Sequence, residues 1–163
     1  METIVKNIEV KTLPRTTLAF HGGAGAYQKD RSLYQRHRQE LFAWADSKGL
    51  LAGGDFQYLI LYRDSPEVAR YGASEMSLCL TVPAETQTEE PIGKTTLDLG
   101  EYAVCECELS PRDFPKVWEW IFGEWLSEHG FRPIAGAPYF ERYPEAPAGE
   151  LFRVDFCVPV EGD

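Results

Sequence analysis

Apolar positions change their period several times along the chain, and those changes divide it into elements. From Asp30 to Lys48, Leu33, Tyr34, Leu41, Trp44 and Ala45 recur at helical spacing, and Gly49 supplies a natural C-terminal stop. A second helix is predicted from Ser110. Ser110 can cap, Pro111 suits the first helical position, and Asp113 stands at capping-box spacing. Phe114, Val117, Trp118, Ile121, Phe122 and Trp125 form its apolar stripe; Trp120 falls outside that stripe, and Gly130 ends the helix. Strand-like patterns fill the remainder: residues 8–20, 56–63, 74–82, 95–109, 137–143 and 151–160. The order is strand, helix, strand, strand, and then the same again.

Three markers support a repeat. Tyr62-Arg63-Asp64-Ser65-Pro66 and Tyr143-Pro144-Glu145-Ala146-Pro147 share Tyr-x-acid-x-Pro, 81 residues apart, and the helix-ending Gly49 and Gly130 are also 81 apart. Each hairpin closes on a Val-Pro, Val82-Pro83 and Val158-Pro159. The expected fold is therefore α+β: a tandem βαββ repeat in one domain, halves approximately 1–88 and 89–163. Antiparallel sheets and two main helices surround a central groove related by a pseudo-two-fold axis.

The repeat isolates one residue. Tyr139, Glu141 and Tyr143 share a strand face, with Phe140 and Arg142 on the other. Their counterparts in the first half are Tyr58, Ile60 and Tyr62, so Glu141 is a carboxylate on a face otherwise built for apolar contacts. An unpaired acid there is costly, and tyrosine hydroxyls can offset part of that cost. Two readings stand. In one, the strand is superficial and Glu141 faces solvent or pairs with an arginine. In the other, Glu141 lies at the base of an aromatic cavity suited to a flat, lipophilic cation, or acts as a general base.

Composition narrows the partners. Sixteen basic against 26 acidic residues give a net charge of −10, opposite to the basic footprint of nucleic-acid binders. Lys29, Arg31, Arg36 and Arg38 read as a solvated helix face, so no direct nucleic-acid partner is expected. The N-terminus lacks a signal-peptide pattern and no apolar run reaches membrane-spanning length, so a cytoplasmic protein without a membrane partner is expected. Cys79, Cys105, Cys107 and Cys157 form no C-x-x-C pair, and His21, His37 and His129 lie elsewhere in sequence, so neither metal nor cofactor is expected. The glycine-rich stretch from His21 to Tyr27 matches no phosphate- or dinucleotide-binding pattern and reads as a turn at the lip of the groove.

With Gly100-Glu101-Tyr102-Ala103, a helix ending Trp125-Leu126 and Gly130, Phe140-Glu141-Arg142-Tyr143, and a last strand with Val158-Pro159, the chain resembles the GyrI-like small-molecule-binding domain. That domain is also the effector-binding unit of multidrug-responsive transcription regulators. In the first half Gly25-Ala26-Tyr27 and Gly49-Leu50 follow the pattern less closely. The resemblance implies a groove between two βαββ halves in which the acid of Phe-Glu-x-Tyr, here Glu141, contacts cationic ligands within aromatic walls. Tyr102, Tyr139, Tyr143, Trp120, Tyr27 and Phe140 are the expected wall. It also implies two alternatives. One is a hydrolase that opens cyclopropane rings of DNA-alkylating compounds, with Glu141 and Tyr102 as catalytic pair. The other is a gyrase-inhibitor-like protein-interaction module, which would take a protein partner.

Overall fold

The computed structural model describes residues 3–22, 30–54, 56–62, 76–134, 137–144 and 151–162. In chain order these form β1 (Val5–His21), α1 (Arg31–Ser47), β2 (Tyr58–Tyr62), β3 (Met76–Thr81), β4 (Ile92–Leu109), a second helical segment α2 (residues 111–128), β5 (Phe131–Pro133), β6 (Tyr139–Tyr143) and β7 (Phe152–Gly162). The α+β class and repeated element order are as expected. β1 and β4 begin three residues earlier than the pattern predicted because they pair along their whole length, from Val5 with Cys107 to His21 with Ile92. The three-residue β5, unpredicted, borders the end of β7.

All strand pairs are antiparallel, and the hydrogen-bonded order runs β4, β1, β3, β2, β6, β7. A further pairing between β7 and β4 closes these six strands into a ring. Two apolar layers result. Helix residues Leu41, Ala45, Val117 and Ile121 pack with Ile60, Leu78, Cys105 and Phe156 on the outer face. Leu13, Leu18, Leu59, Cys79, Tyr102, Val104, Phe140 and Cys157 form the second layer on the other face, to which no helix contributes among the described residues. The four cysteines are free and buried, within both layers.

The two helices differ by one residue. Asp30 caps α1 by accepting from the Leu33 amide at 3.0 Å. Ser110 occupies the matching place before α2 but caps nothing; its hydroxyl donates to Asp113 at 3.1 Å, and the segment opens as a 3-10 turn at Pro111–Asp113. The capping box expected there is replaced by this side-chain pair, because Asp113 lies within hydroxyl reach. These starts are 80 residues apart, yet the terminating glycines, Gly49 at φ 73 and Gly130 at φ 74, are 81 apart. The left-handed backbone at both explains why glycine stands there. The additional residue is absorbed by a π-helical turn at Ile121–Trp125. Counted from the two helix starts, His37 corresponds to Val117, Arg38 to Trp118, Leu41 to Ile121 and Phe42 to Phe122.

The register also corrects one repeat marker. Leu59 pairs with Cys79 and its counterpart Phe140 with Cys157. Cys79 and Cys157 are therefore equivalent, 78 residues apart, whereas the two Val-Pro pairs are 76 apart. They match by composition and not by position.

Candidate functional site

β2 and β6 lie side by side with Tyr58 opposite Tyr143, Ile60 opposite Glu141 and Tyr62 opposite Tyr139. In the repeat, Tyr58 corresponds to Tyr139, Ile60 to Glu141 and Tyr62 to Tyr143. An axis exchanging the two strands must therefore pass between Ile60 and Glu141. The glutamate occupies the centre of the pseudo-symmetric molecule.

Glu141 is 2% exposed. Its Oε2 accepts from the Tyr62 hydroxyl at 2.5 Å and from the Trp118 indole Nε1 at 3.2 Å, and its Oε1 accepts from the Tyr143 hydroxyl at 2.8 Å. Burial raises the carboxyl pKa above the ordinary glutamate range, and the three hydrogen bonds oppose that rise. Burial also lifts the phenols of Tyr62 and Tyr143, with the nearby carboxylate charge next in size. All three donors are neutral. Arg142, next along the strand, points to the other face and pairs with Asp155 at 3.0 Å. The superficial, arginine-paired reading of Glu141 therefore fails.

Aromatic rings surround this carboxylate. Tyr62 stacks on Tyr139 with centroids 5.0 Å apart and planes 1° from parallel, and Trp118 stands edge-on to both. Phe122 stacks on Trp118 at 5.9 Å and lies 5.9 Å from Tyr139. The first half repeats this box with one change. Phe42 lies 5.4 Å from Tyr58, and where the second half has Trp118 the first has Arg38, its guanidinium 4.7 Å over Phe42 and 5.5 Å from Tyr58. Arg38 is exposed, as the solvated-face reading expects, and its guanidinium also lies over two rings. The Tyr34 hydroxyl completes this side with a 3.1 Å hydrogen bond to that of Tyr58.

Of the residues singled out from sequence, Tyr139, Glu141 and Tyr143 come together. Trp120 is half-buried against the helix-side layer, but the indole that reaches Glu141 belongs to Trp118. Tyr102 and Phe140 do not join them. Strand parity for Phe140 and the β4–β7 register for Tyr102 put both in the opposite layer, 5.3 Å from each other, and the Tyr102 hydroxyl donates to the Pro138 carbonyl at 2.6 Å. Tyr27 lies outside the described residues. Sequence reasoning missed Trp118 and Tyr62. Trp118 fits the apolar stripe of α2 and by that pattern reads as core, although a buried indole N–H needs an acceptor. Tyr62 was visible as a repeat counterpart, but its contact depends on how β2 pairs with β6. Among the described residues one group of three potential metal donors occurs, His21, His37 and Glu40, and it does not include Glu141.

The family model described as GyrI-like small molecule binding domain matches residues 6–161. A DNA gyrase inhibitor from Edwardsiella piscicida is 31% identical over 128 residues, covering 75% of this chain and 79% of the relative. One from Serratia proteamaculans is 26% identical over 127 residues, covering 76% and 80%. Solved structures share the fold at low identity. A hydrolase from Listeria innocua superposes with TM-score 0.68 at 17% identity, covering 96% of this chain and 92% of that one. EcmrR in its DNA complex gives TM-score 0.69 at 13% identity, covering 100% and 59%. SAV2435 bound to tetraphenylphosphonium gives TM-score 0.52 at 17% identity, covering 96% and 94%.

Proposed function

Because the chain belongs to the family of GyrI-like small-molecule-binding domains, we propose that it binds lipophilic, cationic aromatic compounds against Glu141 in the groove between its halves. The observation that carries this is a carboxylate 2% exposed, held by three neutral donors, with no cation among the described residues that act on it. Such a group gains more from a positive charge than a solvated one does, because the surrounding rings lower the local dielectric. Tyr62, Tyr139, Trp118 and Phe122 offer the stacking faces. A ligand takes its place by displacing part of the hydroxyl and indole cover, and its charge then holds Glu141 ionised.

The first half lends support from within the molecule, since its equivalent box already carries a cation, Arg38. SAV2435, a protein of the same fold, was solved with a lipophilic cation. Sequestration or sensing of such compounds needs nothing beyond this site. Four buried free thiols fit a reducing, cytoplasmic location. A hydrolytic role with Tyr102 polarising the substrate beside Glu141 lacks its second residue, because Tyr102 faces the other layer.

The test is a titration with a fluorescent lipophilic cation and a neutral analogue of the same shape, using wild type and Glu141→Gln. The cation is expected to bind tighter than the neutral dye, and the substitution to remove about 1–3 kcal/mol of that preference. Equal binding of both dyes, or an unchanged preference in the variant, rules the reading out. A second reading, restraint of a protein that grips DNA, draws on the gyrase-inhibitor relatives and the net charge of −10. It predicts inhibition of gyrase supercoiling that Glu141→Gln leaves intact.

A further inference from the structure

The repeat that isolates Glu141 also isolates two histidines. Phe20 pairs with Cys79, and Val104 pairs with Cys157. Since Cys79 and Cys157 are equivalent, so are Phe20 and Val104, and the next residue, His21, corresponds to Cys105. His37 corresponds to Val117 through the helix starts. The second half thus fills two positions of the helix-side layer with Cys105 and Val117, both fully buried. The first half fills them with imidazoles, 4% and 8% exposed.

These imidazoles lie against each other, rings stacked at 3.9 Å and 14° from parallel. Glu40, one turn after His37 on α1, places its Oε2 3.3 Å from His21 Nε2. One donor atom from each of the three residues lies within 4.8 Å of the others. We propose that His21, His37 and Glu40 bind one divalent transition-metal ion of the zinc class, clamping the end of β1 to α1.

Two neutral imidazoles and a carboxylate form a donor set that zinc accepts, with water as fourth ligand. Tetrahedral zinc with bonds of about 2.0–2.1 Å sets its donors roughly 3.3 Å apart. The present spacing therefore contracts on binding by rotation of the side chains about their χ angles. Arg36 approaches the other oxygen, Oε1, at 3.9 Å, which leaves Oε2 on the side of His21.

The experiment uses the untagged full chain, stripped with a chelator, titrated with Zn²⁺ by calorimetry and with Co²⁺ by visible absorption. One equivalent should bind, with cobalt d–d bands of low-coordinate nitrogen and oxygen ligation and no thiolate charge-transfer band. Glu40→Gln, at a position 42% exposed, should weaken binding at least about tenfold with the fold retained. His37→Val, which installs the residue of the other half, should abolish saturable binding while circular dichroism stays native. Absence of saturable binding by wild type, equal affinity in Glu40→Gln, or a thiolate band that assigns the metal to cysteine would each overturn the proposal.

Discussion

Tyr58-Leu59-Ile60-Leu61-Tyr62 and Tyr139-Phe140-Glu141-Arg142-Tyr143 are the same strand made twice, and they pair with each other. Their outward faces differ at one place, Ile60 against Glu141. The tyrosines around that place are shared by both halves, so the second half did not need a new scaffold to hold a buried acid. It needed one carboxylate at the point where the halves meet, and an indole on α2 to complete its hydrogen bonding. Chemistry at a symmetric centre can thus be introduced by a single departure from the repeat, with donors recruited from both copies: Tyr62 from the first, Tyr143 and Trp118 from the second.

Making the strands alike in the acidic sense should be most damaging. Ile60→Glu sets a second carboxylate directly across from Glu141 in the same buried layer. At neutral pH we expect a loss of about 3–5 kcal/mol of stability in urea denaturation, partly recovered in acid as one carboxyl takes a proton. A variant as stable as wild type would mean that the layer accepts two charges, and the contrast with Ile60 would lose its meaning. Trp118→Phe keeps the ring and removes one donor. A loss of about 1–3 kcal/mol at neutral pH, smaller in acid, is the expected result.

The pH dependence sharpens the contrast without changing its packing. Burial raises the folded pKa of Glu141, so the folded state holds its proton more tightly than the unfolded chain does. The contribution to stability is complete below the ordinary glutamate range and is lost as pH rises through the folded value. Cation affinity should move oppositely, rising as Glu141 becomes ionised. Denaturation midpoints and dye titrations across that window should show opposite slopes, both flattened in Glu141→Gln. Parallel slopes would assign the titration to another group. The smallest effect belongs to the other box: Arg38→Met should lower stability by about 0.5–1 kcal/mol in a thermal melt, the scale of an exposed cation–π contact.

How much of this was legible follows from what each feature depends on. Gly49 and Gly130 were readable because left-handed helix ends restrict residue choice. Glu141 was readable because strand parity and an internal copy gave it a comparison. The ring closure was not, since it rests on β4 pairing with β7 beyond β1, which no local pattern encodes. Tyr102 was assigned to the site from its motif, yet only the β4–β7 register shows that it shares a face with Cys157 and not with Phe156. Trp118 illustrates the reverse, as helical periodicity says which way a side chain points and not what its polar atom meets. His21 and His37 looked unrelated because a strand end and a helix turn meet only in three dimensions.

The closed ring bears on whether either repeat could stand alone. The copies are joined along two seams, β1 with β4 and β2 with β6, and each seam is a full strand-to-strand contact. A polypeptide containing one copy would present both seams as open edges, together with the apolar underside that the ring encloses. It would be soluble only by finding another copy of itself. A homodimer of single repeats would carry either two acids at its centre or none. Fusion into one chain is what permits Ile60 on one side of the axis and Glu141 on the other.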